Sequence, residues 1–214
     1  MTTYHHGHLR EALTSTAFDL ARTEGPDGVV LREVARRTGV SHNAAYRHFA
    51  DRDELLAQVA AMAMTQLARA MQARIDAVTE APPGLLGWVH LAEVGRAYVE
   101  FALAEPGLFG IAFAAHRSAD QPAKHGQDVE TDPYAVLGRV LDELVLAGQI
   151  PPSDRSGADE ACWAAVHGFS LLHLAGPLAD EPAAARDAAL DKLLTTIARG
   201  LGAPQGGPAT EQSR

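Results

Sequence analysis

The sequence predicts an all-α fold with short helices at the N-terminus and longer ones beyond residue 83. Apolar residues recur at helical spacing along most of the 214 residues, between breaks that contain proline or glycine. No run of alternating β-branched residues indicates a strand. Two short apolar-faced segments also flank a glycine near residue 39, which is the pattern of a helix-turn-helix.

Composition excludes several classes of protein. A hydrophobic content of 47% and a charged content of 21% are typical of a folded chain, and no apolar run reaches the ~20 residues that span a bilayer. No signal peptide is visible, so we expect a cytoplasmic protein without a membrane partner. The lone Cys162 fits a reducing compartment and is expected to be a small apolar filler.

Charge is distributed unevenly along the chain. The net charge is -9, yet residues 1–50 hold six arginines and only five acidic residues. We therefore expect only this N-terminal part to meet a polyanion.

The first four predicted helices are each bounded by a break or a capping residue. Gly25 begins the break after the first helix, and Gly39 ends the second because glycine tolerates left-handed backbone. Ser41 is a good N-cap for the third helix, and Asp51 with Glu54 forms a capping box for the fourth. The first three helices are predicted over residues 8–24, 31–38 and 42–49. The fourth is predicted to start at the capping box of Asp51 and Glu54 and to end at about residue 79.

Longer helices follow the Pro82–Pro83 pair. They are predicted over 85–104, 134–147, 157–175 and 183–201, with a short segment at 106–116. The polar stretch 118–132 is predicted to be a mobile loop, and the Gly/Pro-rich tail from Gly202 to be disordered. The predicted domains are 1–52, 53–201 and the tail 202–214.

The stretch RTGVSHNAAYRHFADRDEL, residues 37–55, has the chemistry of a DNA reader. The second helix of a helix-turn-helix lies in the major groove, with its N-terminal residues at the base edges. Here those residues are His42, Asn43 and Ala44; asparagine pairs bidentately with adenine, and a small apolar side chain meets a thymine methyl. Phosphates are within reach of Tyr46, Arg47, His48 and Arg52.

Residues 31–55, together with the preceding helix HLREALTSTAFDLARTEG, resemble the TetR family of transcriptional regulators. The element from Tyr46 to Phe49 is specific for that family. The resemblance implies a DNA-binding domain of three helices, joined by a long helix to an all-helical effector-binding and dimerisation domain. Val30 departs from the family, which often has Thr or Ser as the cap of helix two. The implied backbone contacts are Arg32, Ser41, Tyr46, His48 and Arg52, the last in place of the family's usual lysine.

Further along, YVEFALAEPGLFGIAF and CWAAVHGFSLL resemble a ligand domain named for its Trp–His–Gly element, here Trp163, His167 and Gly168. A ligand pocket needs apolar walls and a few polar groups. The same aromatic residues also fit an ordinary core, and His167 also fits a hydrogen-bonded core histidine. The candidate pocket residues are Trp88, His90, Tyr98, Phe101, Phe109, Phe113, Trp163 and His167. The resemblance implies dimerisation through the last two helices, whose apolar faces carry Leu171, Leu174, Leu190, Leu193, Leu194 and Ile197.

These observations favour a homodimeric repressor that binds a near-palindromic double-stranded operator and is released by a small apolar effector. A helix-turn-helix protein that acts without an effector, through protein contacts, is the alternative. A metal-dependent enzyme is remote, because the sequence has no paired metal-ligand motif, nucleophile elbow or phosphate loop. We expect no metal and no cofactor. The histidines at 5, 6 and 8 fit a DNA-facing arm better than a metal site.

Overall fold

The computed structural model describes residues 3–118 and 132–203, which form α-helices and one 3-10 turn and contain no strand. The predicted all-α class is confirmed. The helices are α1 (Thr3–Gly28), α2 (Leu31–Thr38), α3 (His42–Tyr46), α4 (Arg52–Asp76), α5 (Leu86–Ala104), α6 (Pro106–Ser118), α7 (Pro133–Leu146), α8 (Ala158–Leu174) and α9 (Ala183–Gly200), and the 3-10 turn is Pro152–Asp154.

Packing divides the chain into two compact units. The N-terminal unit takes the described residues through Ala70 and those from Glu100 to Pro133, and the C-terminal unit takes Met71–Val99 and those from Tyr134 onward. Helices α4 and α5 therefore each continue from one unit into the other. The predicted boundary at residue 52 is not where packing divides the chain, because α6 packs on α1 although some 80 residues separate them.

The interior of the N-terminal unit is built on α1. Leu13, Ala17 and Leu20 face inward from it and are almost completely buried, as their spacing predicts. The helix begins at Thr3 rather than at residue 8, and its regular part stops at Gly25, where φ is 73°. Glycine adopts this left-handed backbone without strain, and the break that the sequence predicts at Gly25 is present in the structure.

The α2–turn–α3 element follows from its capping residues. Gly39 has φ 76° and ψ 26°, and the next N–H, that of Val40, donates to the Ala35 carbonyl at 3.0 Å. The Ser41 Oγ accepts from the Ala44 N–H at 3.2 Å, which confirms the predicted N-cap. Val30 begins α2 without a side-chain cap, and α3 ends at Tyr46 instead of residue 49.

The start of α4 is a capping box that is shifted by one residue. Asp51 Oδ1 accepts from the Glu54 N–H at 2.8 Å, as predicted, but the Glu54 carboxylate accepts from the Ala50 N–H at 2.8 Å rather than from that of Asp51. The helix ends at Asp76, three residues short of the prediction. Both carboxylates nevertheless satisfy N–H groups at the helix start.

In the C-terminal unit, the bounds of α5, α7, α8 and α9 agree with the predicted ranges to within one residue. The predicted mobile loop and disordered tail fall almost entirely outside the residues that the structure describes. Within the described ranges no single helix is long and apolar enough to cross a membrane. One bent pair of helices, Leu86–Ala104 and Pro106–Ala114, reaches the length and apolar composition of a membrane span when the two helices are taken together.

Candidate nucleic-acid interface and ligand cavity

Four of the predicted DNA-binding side chains, on α3 and at its N-cap, face the solvent. Ser41, His42 and Asn43 are exposed, and Tyr46 is 46% exposed. The His42 and Tyr46 rings meet edge to face, with 4.4 Å between their centroids. The Asn43 amide makes no hydrogen bond to the described part of the chain, so both of its polar groups can bind a ligand.

Ala44 does not belong to this exposed face. Its side chain is buried at 9% exposure, beside the buried Ala45 and Phe49. The prediction that Ala44 meets a thymine methyl is therefore wrong. Ala44 is the third residue of α3 and lies on the side of this short helix that faces the interior, where its small side chain lets α3 pack closely.

One arginine that the sequence reading overlooked holds α3 in place. The Arg10 guanidinium donates to the His48 carbonyl and, at 3.0 Å, to Glu54, and it lies 4.3 Å over the Phe49 ring. The carboxyl of Glu54 has a lowered pKa, first because it accepts from the Ala50 N–H and then because of Arg10. No local sequence signal reveals this link, since Arg10 is 38 residues from His48.

The four arginines within residues 31–49 fall into two groups. Arg36 and Arg37 both donate to Glu33, and the hydrogen bond from Arg36 is the largest reason why the pKa of Glu33 falls to about 2. Arg32 and Arg47, in contrast, are exposed and have no ion-pair partner in the described ranges. These two guanidinium groups are the ones best placed to bind phosphate.

Arg52, the third predicted phosphate contact among the arginines, points elsewhere. Its Nε donates to the Val29 carbonyl at 2.7 Å and its Nη2 to the Pro26 carbonyl at 2.6 Å. The side chain therefore ties the start of α4 to the connection between α1 and α2.

We expect Arg52→Ala to lower the free energy of unfolding by about 1–3 kcal/mol, because two carbonyls lose charge-assisted hydrogen bonds. DNA affinity should fall through loss of domain stability, with the salt dependence of binding unchanged. Urea unfolding and binding titrations at several salt concentrations measure both. Arg69→Ala, which removes an exposed α4 arginine, is the control. A smaller salt dependence with unaltered stability would instead mean that Arg52 contacts phosphate.

The C-terminal unit contains a cavity among α5, α7, α8, α9 and the end of α4. The space in it that a water-sized sphere can enter is about 30 Å³, so a small molecule would fit only after the side chains of its wall move apart. Its walls are Met71, Trp88, Leu91, Ala92, Val94, Gly95, Tyr98, Leu137, Cys162, Trp163, Val166, Leu194, Ile197 and Ala198.

The cavity includes only part of the predicted pocket. Trp88, Tyr98 and Trp163 line it, but His90 and His167 do not. Phe101, Phe109 and Phe113 belong to the N-terminal unit, where the first two are buried and the rings of Phe109 and Phe113 lie 4.8 Å apart. Assigning these three to the pocket was wrong, because aromatic residues on α5 and α6 cannot be divided between two cores from their spacing alone.

The Trp–His–Gly element closes one wall of the cavity. Trp163 stacks on Tyr134, with 3.8 Å between ring centroids, and meets Tyr98 edge to face at 5.0 Å. The Tyr98 hydroxyl lies 2.7 Å from His167 Nδ1. Burial raises the pKa of Tyr98 and lowers the pKa of His167, so both groups are neutral, and in the tautomer with its proton on Nε2 the imidazole accepts from the phenol. His167 thus orients Tyr98 from behind the wall.

Burial also keeps the cysteine of the cavity wall neutral. It raises the pKa of the Cys162 thiol to about 11. The side chain therefore lines the cavity as an apolar group, in keeping with its predicted role.

Burial lowers the pKa of His167, and a hydroxyl that donates to neutral Nδ1 would lower it further, so we expect Tyr98→Phe to raise this pKa part of the way toward its ordinary value. The pKa of His167 is lower in the folded protein than in the unfolded chain, so the unfolded chain binds a proton at higher pH. Protonation of this residue therefore lowers the free energy of unfolding as the pH falls below about 6.5. The variant should weaken that part of the pH dependence. An NMR pH titration measures the shift, with the His173 signals as an internal reference. An unchanged pKa would show that Tyr98 does not donate to His167.

A groove between α5 and α9 adjoins the cavity, and Trp88, Ala92, Leu194 and Ala198 line both. Its rim carries the charges that the cavity lacks, namely Arg199 and the ion pair of Arg96 with Asp191 at 2.7 Å. Trp88 is 6% exposed, and its indole Nε1 is buried with no acceptor among the described residues.

The predicted dimer face is reduced by the packing within one chain. Leu190 and Leu194 are already buried, and Leu194 and Ile197 line the cavity. Assigning Leu190 and Leu194 to a surface between chains was therefore wrong. Leu171 on α8 remains 49% exposed, and Leu172 beside it, which the sequence reading left out, is 42% exposed. Leu174 and Leu193 are partly exposed.

Two family models match the chain. Residues 13–59 match "Bacterial regulatory proteins, tetR family", and residues 91–197 match "Tetracyclin repressor-like, C-terminal domain". The second match includes the Trp–His–Gly element. An "Uncharacterized HTH-type transcriptional regulator" of Haemophilus influenzae is 40% identical over 72 residues, which is 32% of this chain and 35% of that protein. The chain thus aligns with about a third of the length of this curated relative.

Solved structures resemble the whole fold. A "protein with unknown function" from Rhodococcus sp. RHA1 is 30% identical, with a TM-score of 0.73 over 95% of this chain and 100% of that one. A tetR-family regulatory protein from Rhodococcus RHA1 is 17% identical, with a TM-score of 0.62 over 92% and 98%. A TetR variant from Acinetobacter baumannii AYE, in complex with minocycline, is 22% identical, with a TM-score of 0.57 over 90% and 97%. The last two share the fold. The matched domains, with the helix-turn-helix and the all-helical structure around them, identify this chain as a member of the TetR family of transcriptional regulators and not as an enzyme.

Proposed function

We propose that this regulator is a homodimeric, cytoplasmic repressor that binds a near-palindromic operator and is released from it by a small apolar effector. The exposed face of α3 carries the proposal for DNA binding. Asn43 would read adenine, His42 would approach a neighbouring base, and Arg32 and Arg47 would contact phosphates, with Ser41, Tyr46 and His48 beside them. Two copies of α3 would enter successive major grooves about 34–36 Å apart.

The proposal of a small-molecule effector is supported by the apolar cavity of the C-terminal unit. Its walls suit a neutral hydrophobic molecule, and the Acinetobacter TetR variant is described in complex with minocycline. Met71 lines the cavity from the end of α4, the same helix that starts beside α3 at Arg52. An effector that favours a different setting of α4 would change the spacing of the two DNA-binding helices, and it acts only if it binds that form better.

The base contact is tested with Asn43→Ala on an operator that the wild-type protein selects from a random DNA library. The variant should lose roughly 30- to 10,000-fold in affinity for that operator and most of its preference at one base pair of each half-site, because the dimer loses two bidentate contacts of about 1–3 kcal/mol each. Gln58→Ala, which removes an exposed amide from α4, is the control. Retention of full base preference by Asn43→Ala would refute the assigned contact.

Release by an effector is tested on the protein bound to the same operator. A metabolite that raises the melting temperature should also lower operator affinity. If no metabolite of a broad panel raises the melting temperature, the alternative is favoured, a helix-turn-helix protein that acts without an effector through protein contacts.

A further inference from the structure

We propose that the effector is an uncharged apolar molecule with one hydrogen-bond acceptor, and that this acceptor receives the indole N–H of Trp88. The inference rests on the proposed function, because it names the chemistry of the ligand for the same cavity.

The first observation is the unsatisfied donor. Trp88 lines both the cavity and the adjoining groove, and its N–H is buried without an acceptor in the described ranges. A buried donor left unpaired costs about 1–3 kcal/mol, and folded proteins leave few of them. An oxygen atom carried by a ligand would remove this cost at the place where the cavity meets the groove.

The second observation is the absence of charge from the cavity wall. None of the residues that line it is acidic, basic or a histidine. The one hydroxyl there, that of Tyr98, is already hydrogen-bonded to His167. A carboxylate or ammonium group would be buried without a partner, which is far more costly than burying a ketone, ester or ether. The charged side chains Arg96, Asp191 and Arg199 line the groove and not the cavity.

The third observation concerns access to the N–H group. Because Trp88 Nε1 is covered by protein in this structure, an acceptor reaches it only when the side chains that cover it separate. A hydrogen bond from Trp88 to a ligand therefore favours a conformation in which the side chains of the cavity wall have moved. This differential binding is what an effector requires in order to shift a conformational equilibrium.

The test uses α-tetralone and tetralin, two bicyclic molecules of similar size that differ by one carbonyl. The chain contains two tryptophans, so a ¹⁵N spectrum shows two indole N–H signals, assigned with Trp88→Phe and Trp163→Phe. We expect α-tetralone to move the Trp88 indole proton downfield, whereas tetralin should leave it near its original shift.

Affinities provide the second readout. The ratio of the tetralin to the α-tetralone dissociation constant should fall about fivefold in Trp88→Phe, as for one lost hydrogen bond. Trp163→Phe should weaken both molecules together. Replacing Trp88 with benzothienylalanine, which keeps the bicyclic shape without the N–H, should reproduce the Trp88→Phe ratio.

Each outcome decides a different claim. Binding of both molecules with an unchanged ratio in Trp88→Phe overturns the Trp88 contact but leaves the effector cavity standing. Tighter binding of tetralin-2-carboxylate than of α-tetralone overturns the neutral ligand. Failure of all three molecules to bind overturns the cavity as a ligand site, and the proposed effector response with it.

Discussion

Gly107→Ala should destabilise the protein by about 3 kcal/mol or more, the largest loss of stability that we expect from a single methyl group. A Cβ atom at this position would lie 2.1 Å from the Ala21 carbonyl oxygen and 3.2 Å from Gly25 Cα. Both atoms belong to the backbone of α1, so no side chain can rotate away. Urea unfolding followed by circular dichroism measures the loss.

Gly110→Ala is the matched control, one turn further along α6. There the nearest atom to an added Cβ is Pro26 Cγ at 3.7 Å, an ordinary contact. Alanine also favours the helix over glycine by about 1 kcal/mol, so this variant should be as stable as wild type or more stable. If both variants lose the same free energy, the close approach of α6 to α1 at Gly107 is not what governs the result.

Replacing Arg32 and Arg47 together by alanine should lower operator affinity by on the order of a hundredfold at low salt. If each arginine contacts one phosphate in each half of a dimer, four contacts disappear. The slope of log affinity against log salt concentration should then become shallower by about 3 to 4. Titrations of labelled operator between low and moderate salt measure the slope.

The control for this double variant is Arg36→Ala with Arg37→Ala, which removes the same formal charge from the same unit. Both of these guanidinium groups bind Glu33, and Arg37 also binds Glu24. Their removal should change the slope by less than one. Equal changes in the two double variants would mean that the general field of the domain attracts DNA and that Arg32 and Arg47 have no specific role.

Local sequence signals were sufficient for the secondary structure of this fold. The bounds of α2 were correct because an apolar face and Gly39 define them within eight residues. The association of α6 with α1 could not be predicted in this way. It depends on the absence of a side chain at Gly107, which a sequence shows only as one more helical glycine.

The same distinction holds for the sites. Exposure of His42 and Asn43 follows from their positions after the Ser41 cap, whereas the inward turn of Ala44 depends on the tertiary packing of α3. Arg52 occupies a sequence position that predicts a phosphate contact, but its guanidinium group donates to the carbonyls of Val29 and Pro26. Phe101 and Phe109 are apolar aromatic residues of the kind that line a pocket, but their packing places them in the N-terminal unit.

The way α3 is held separates the residues that fix its position from those that face outward. Arg10, Glu54 and Phe49 keep its end in place, while the Asn43 amide makes no hydrogen bond within the described chain and the His42 ring meets the exposed Tyr46 ring edge to face. Substitution at positions 42 and 43 should therefore cost little folding free energy. We expect that descendants of such a chain would acquire new binding preferences in a single mutational step, and that libraries randomised at these two codons would yield mostly folded proteins.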